Sequence, residues 1–138
     1  MSPQSAPITV VTDYFTALAE GRVPDALAKL HPQVQWHQPG QNQFSGVHTG
    51  PDAVSTLIGG MMGVSGGTFA LAPAGPLMAN GALVAAPVHF TGSRNDGVQL
   101  DQLGLDLLTV HDGLIVEVHL FSADGPAEDA FWGSSATQ

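Results

Sequence analysis

A chain of 138 residues has room for one domain with a sizeable core, and its 43% hydrophobic content suits a folded protein. Only 11% of residues are charged, and twelve acids against three bases (Arg22, Lys29, Arg94) give a net charge of −9, which argues against nucleic acid and anionic membranes as partners. The absence of cysteine removes disulfides, thiolate nucleophiles and cysteine-based zinc sites.

Residues 1–6 read as a loose tail. A helix is expected from Pro7, with Ile8, Val11, Phe15 and Leu18 at three- and four-residue steps and Gly21 as its end. Pro24 can open a short second helix carrying Ala26, Leu27 and Leu30, which His31-Pro32 should stop. Residues 33–38 alternate Val34 and Trp36 with polar neighbours, the pattern of a half-buried strand. Pro39-Gly40 breaks it, and a polar loop is expected as far as Gly50. A third helix starts near Pro51-Asp52, because Val54, Leu57, Ile58, Met61 and Met62 form one apolar stripe, with Gly63, Gly66 and Gly67 at its end.

The second half reads as strands. Two are expected at 68–74 and 82–91, and Asn95-Asp96-Gly97 is a hairpin signal. A long strand at 98–111 follows, with Gly104 a candidate bulge or bend, then a turn at Asp112-Gly113 and a strand at 114–121. The segment from Ser122 is a tail carrying an apolar plug, Phe131-Trp132. Helices followed by an antiparallel meander imply an α+β domain with helices on one sheet face. No basic-then-apolar leader occurs, and no apolar run approaches the roughly 18 residues of a membrane span, so a cytoplasmic location is expected.

Asp106 lies in Leu103-Gly104-Leu105-Asp106-Leu107-Leu108, the most apolar part of the sheet. A carboxyl there must find partners or stay protonated. A neutral carboxylic acid can donate a hydrogen bond to a developing oxyanion; the plainer alternative is an Asp bonded to a loop or set at a sheet edge. Asp101 reads as a solvated acid. Tyr14 can reach a pocket as a phenol donor or serve as an ordinary core residue. The six histidines (His31, His37, His48, His89, His111, His119) form no His-x-His or His-x-x-x-His pair, so no metal is assigned to them. His37, beside Trp36, is a candidate general base or an imidazole on the outer face. The glycines from Gly59 to Gly67 lack a phosphate-loop lysine, and no Gly-x-Ser-x-Gly elbow occurs.

Together these residues resemble the nuclear-transport-factor-2-like superfamily, in its ketosteroid isomerase and SnoaL-like polyketide cyclase branch. The resemblance covers residues 7–133. It rests on Tyr14-Phe15 with Leu18 and Gly21, Trp36-His37-Gln38-Pro39-Gly40, and Gly46-Val47-His48-Thr49-Gly50-Pro51-Asp52-Ala53-Val54. It continues with the Asp106 strand, Asp112-Gly113 with Ile115, and Phe131-Trp132-Gly133. The resemblance implies a cone-shaped α+β barrel: three N-terminal helices on a curved, mostly antiparallel sheet, with a deep apolar pocket. It also implies a homodimer formed through the outer sheet face and no cofactor. In ketosteroid isomerases a helix Tyr and a strand Asp bind the oxyanion while a second Asp moves the proton. Tyr14 matches the first and Asp106 the second. The base position falls on Gln38, an amide that cannot take a proton at neutral pH. The second acid of polyketide cyclases falls on Leu120.

The family register implies a pocket lined by Trp36, Gln38, Ala86, Val88, Phe90, Gln102, Asp106, Leu108, Val118 and Leu120; a slip of one residue would substitute His37, His89 and His119. The expected function is an enzyme on a small apolar metabolite bearing a carbonyl or enol, acting by isomerisation, cyclisation or a related proton transfer. Asp106 and Tyr14 polarise the oxygen, Gln38 orients the substrate or a water, and His37 or the substrate itself is the base. The rivals are a ligand-binding or dimerisation module that has lost its base, and a metal enzyme built on several histidines.

Overall fold

A computed structural model of the chain describes residues 5–133. The expected tails at 1–6 and 134–138 lie outside it, except that Ser5 and Ala6 are helical. The described residues form four helices and seven strands, in the order α1 (Ser5–Ala19), α2 (Val23–Leu27), β1 (Leu30–Gln38), β2 (Gly46–Thr49), α3 (Pro51–Val64), β3 (Ala70–Pro73), β4 (Met78–Asn80), β5 (Leu83–Ser93), β6 (Gln99–His111), β7 (Leu114–Ser122) and α4 (Gly125–Trp132). None of the helices is long and apolar enough to cross a membrane.

The strands make one curved, unclosed sheet in the order β2-β1-β7-β6-β5-β3, with β4 also paired to β5. It is antiparallel except for the β1–β7 joint, which runs parallel. The α+β class and mostly antiparallel sheet are as the sequence implies. Turn chemistry sets the meander: at Asp112 and Gly113 both φ angles are positive (53° and 80°), the geometry that joins twisted strands in two residues. Gly97 takes φ 92° at the other hairpin, where the Arg94 N–H donates to the Val98 carbonyl over 2.8 Å.

Five expectations need correction. His31-Pro32 does not end a helix; α2 stops at Leu27 and β1 already runs through Pro32. A strand tolerates proline where no ladder bond is needed, and the β1–β7 pairing is irregular between Leu30 and Gln35. The loop before Gly50 contains β2, hydrogen-bonded to β1. The short strand β4 was also not expected. The segment after Ser122 is a helix, α4, with Pro126 in its first turn and the Asp124 carboxylate accepting from the Ala127 N–H at 3.1 Å. Gly104 is no bulge; pairing runs evenly through it to Val88 and Ser122, and the irregularity lies at Thr109/Val110.

The core fills the concave side of the sheet. Val11 and Phe15 come from α1, Val54, Leu57 and Met61 from α3, and Phe131 and Trp132 from α4. Val84, Val88, Leu108 and Val118 face them from the sheet. Each fully buried large side chain contributes about 1.5–3 kcal/mol.

Gly104 is glycine because its neighbours leave no room. A Cβ there would sit 2.5 Å from the Phe121 carbonyl and 2.9 Å from the Phe90 ring. Gly104→Ala is therefore expected to cost about 1–3 kcal/mol in urea unfolding. Gly59→Ala, placed in α3 with nothing within 4 Å, should instead stabilise by up to about 1 kcal/mol.

Candidate functional site

Between the helices and the concave sheet lies a cavity of about 350 Å³. Its wall is mainly apolar, with Leu18, Ile58, Phe69, Phe90 and Leu120 among the lining residues. Its polar groups are few: Tyr14 from α1, Gln38 from β1, Asp106 from β6, Ser122 at the end of β7, and Glu128 from α4. Strand alternation explains the convergence. Trp36 and Gln38 share one face of β1, and the partners Asp106 and Leu120 put β6 and β7 in the same inward phase.

Asp106 is 6% exposed. Burial, then the negative Glu128 nearby, pushes its pKa up to about 7. None of the hydrogen bonds among the described residues reaches its carboxyl or the Tyr14 hydroxyl, so both are available to a guest. Tyr14 is 3% exposed; burial first, and the Asp106 charge second, raise its phenol pKa, which keeps it a neutral donor. The Gln38 amide is oriented by its neighbour: Trp36 Nε1 donates to Gln38 Oε1 at 3.0 Å. An indole N–H can only donate, so the amide oxygen is committed, and its NH₂ has no partner among the described residues.

Glu128 is the residue that sequence reasoning missed. It is 6% exposed and lines the cavity. Trp132 Nε1 donates to its Oε2 at 3.0 Å, and the Ser122 hydroxyl donates to its Oε1. The Asp124 cap and Pro126 signal the helix, and the i, i+4 spacing of Glu128 to Trp132 then puts indole and carboxylate on one face.

Several expected residues lie elsewhere. His37 sits between two inward residues and therefore faces out, where its Nε2 is 2.9 Å from Glu117 Oε2. That contact holds the Glu117 carboxylate below its usual range. Ala86, Val88, Leu108 and Val118 face inward but are packed solid in the core, short of the cavity. Gln102 is tied to the β7–α4 connection, donating to the Asp124 carbonyl at 3.1 Å and accepting from its N–H at 2.8 Å. Asp101 is an exposed acid paired with His89 on the outer face, 2.6 Å apart. Arg22 bridges Glu20 and Asp25 beside α2, and Arg94 donates to the Phe131 carbonyl at 2.9 Å, fixing the end of α4. His31 and His48 bond local backbone.

Comparison with known proteins places this geometry among relatives. The chain matches the SnoaL-like domain over residues 11–118. An uncharacterised Mycobacterium tuberculosis protein is 30% identical over 127 residues, 92% of this chain and 96% of that protein. A crystal structure from Xanthomonas campestris, of a protein of unknown function with a cystatin-like fold, is 49% identical with a TM-score of 0.87, covering 92% of this chain and 98% of that one. TerC, co-crystallised with polyporic acid, shares the fold at 19% identity and a TM-score of 0.80, covering 94% and 98%.

The raised Asp106 pKa has a stability consequence. Between the ordinary value of 3.8 and about 7, the folded protein binds a proton that the unfolded chain has released. Stability from this group is therefore complete below pH 4 and falls as pH rises towards 7. Asp106→Asn is expected to flatten that fall by a few kcal/mol at most, read as the difference between urea unfolding at pH 5 and pH 8.

Proposed function

The chain belongs to the SnoaL-like domain family, and we propose that it is a small-molecule enzyme of the ketosteroid isomerase and SnoaL-like type, polarising a carbonyl or enolate oxygen in an apolar pocket. The observation that carries this reading is the Asp106 carboxyl: buried, without a hydrogen-bond partner among the described residues, and lining the same cavity as the Tyr14 phenol. In the reaction, the substrate oxygen takes hydrogen bonds from protonated Asp106 and from Tyr14. As a carbon–hydrogen bond beside the carbonyl breaks, the electron pair moves onto that oxygen, where the two donors stabilise the charge. The Gln38 NH₂ orients the guest. The proton passes to Glu128, the other carboxylate of the cavity, and returns to a different carbon of the same molecule, giving isomerisation, or closes the cycle after carbon–carbon bond formation. His37 is on the wrong face for this task.

The substrate class is a small apolar metabolite, since few polar groups line the cavity. The working unit is read as one domain over residues 7–133, cytoplasmic, and a homodimer through the outer sheet face. Supporting the last point, Leu103, Phe121 and Val47 are 57%, 52% and 56% exposed there. A second reading, a ligand-binding module without turnover, is favoured by Gln38 at the base position of ketosteroid isomerases and Leu120 at the second cyclase acid.

Two measurements separate these readings. Phenols of graded acidity, titrated against tryptophan fluorescence, should bind, with Tyr14→Phe and Asp106→Leu each weakening them by roughly tenfold or more. Solvent deuterium should enter the α-carbon of a cyclic enone, followed by NMR, and Glu128→Gln should slow that exchange by about 10²-fold or more while phenols still bind. Binding without exchange leaves the module reading, and no binding of either probe sinks both.

A further inference from the structure

The outer face of the sheet carries a cluster that the cavity does not use. His37 and His119 are register partners on the parallel pair β1 and β7, and their rings stack with centroids 4.0 Å apart and planes 7° from parallel. Glu117, on the same face of β7 as His119, reaches both: its Oε2 lies 2.9 Å from His37 Nε2 and 3.2 Å from His119 Nε2. One ligand atom from each of the three residues lies within 4.8 Å of the other two. All three side chains are part-exposed in the single chain, so an ion can enter from solvent and complete its shell with water wherever the homodimer proposed through this face leaves them uncovered.

We propose that His37, Glu117 and His119 form a binding site for a borderline divalent cation, with zinc as the reference ion. Two neutral imidazoles and a carboxylate are the donor set that zinc and its transition-metal neighbours favour, whereas magnesium and calcium prefer all-oxygen shells. The spacing is close to what a shell needs. Zinc bonds of about 2.0–2.2 Å at tetrahedral angles put donor atoms about 3.3–3.5 Å apart. The two nitrogen–oxygen separations are already 2.9 and 3.2 Å. Binding requires the carboxylate oxygen to withdraw from the point where both nitrogens aim, and the stacked rings to tilt until their nitrogens converge. Both are side-chain rotations on a part-exposed face. Three protein donors leave a fourth position for water.

The site lies across the sheet from the cavity and is independent of the proposed reaction. Trp36 and Gln38 flank His37, and Val118 and Leu120 flank His119, all facing the other way. A cation held here cross-links β1 to β7 at the parallel joint of the sheet.

The test is isothermal calorimetry of chelator-stripped protein with zinc chloride. The expected result is one ion per chain, an accompanying rise in Tm, and no comparable response to magnesium. His119→Ala and Glu117→Gln should each weaken zinc by roughly tenfold or more, while His89→Ala, which removes the other outer-face histidine–acid pair, leaves it unchanged. Zinc-edge X-ray absorption of the unmutated protein should report two imidazole donors, which keeps the question decidable if a variant fails to fold. Sub-stoichiometric uptake, equal affinity for magnesium, binding that survives His37→Ala/His119→Ala, or a shell without two imidazoles would each overturn the site.

Discussion

Taking the Asp106 carboxyl out of water costs free energy that no hydrogen bond among the described residues returns, and a second buried carboxylate, Glu128, adds repulsion to that cost. Glu128 differs in being held by the Trp132 indole and the Ser122 hydroxyl, so its charge is solvated by protein. The two acids of the cavity thus differ in their partners: Glu128 is held by two donors, while Asp106, with none among the described residues, is pushed towards keeping its proton. The rest of the site follows from that asymmetry. A neutral acid and a neutral phenol facing apolar space form a place where negative charge on a guest is better accommodated than in the empty protein.

What the sequence reveals depends on how far each signal reaches. The stripe of α3, from Val54 to Met62, spans more than two turns, and the buried set Val54, Leu57 and Met61 lies on it. Alternation along β1, β6 and β7 puts Gln38, Asp106 and Leu120 in one phase because each strand runs nine residues or more. The strands β2 and β4, of four and three residues, are too short for any period to register, and tertiary pairing alone makes them strands. The helix α4 lies in the segment read only as a tail with an apolar plug, where Gly125 and Pro126 form the opening turn. With the helix went Glu128. The division between lining and core was likewise illegible: Val88, Leu108 and Val118 point the right way, yet only packing across the concave side decides which inward residues meet empty space.

The same alternation that assembles the cavity also builds its reverse. Every inward residue of β1 and β7 has an outward neighbour, and the outward residues include His37 near the end of β1 and Glu117 and His119 in the middle of β7. A histidine read in isolation beside Trp36 invites a catalytic role. In the fold it belongs to a different surface, with its own carboxylate and a second imidazole from the adjacent strand.

The parallel joint between β1 and β7 also has a kinetic meaning. Trp36 pairs with Val118, and Gln35 with Glu117, across more than half of the chain's length. Hairpins such as β6–β7 zip from local turns, whereas this seam must wait for the intervening meander to be in place. The entropy of closing so long a loop is met before any contact compensates it. The slowest stage of self-assembly therefore coincides with the seam that brings Gln38 beside Leu120, and a chain stalled short of it would display its oily concave lining to its neighbours.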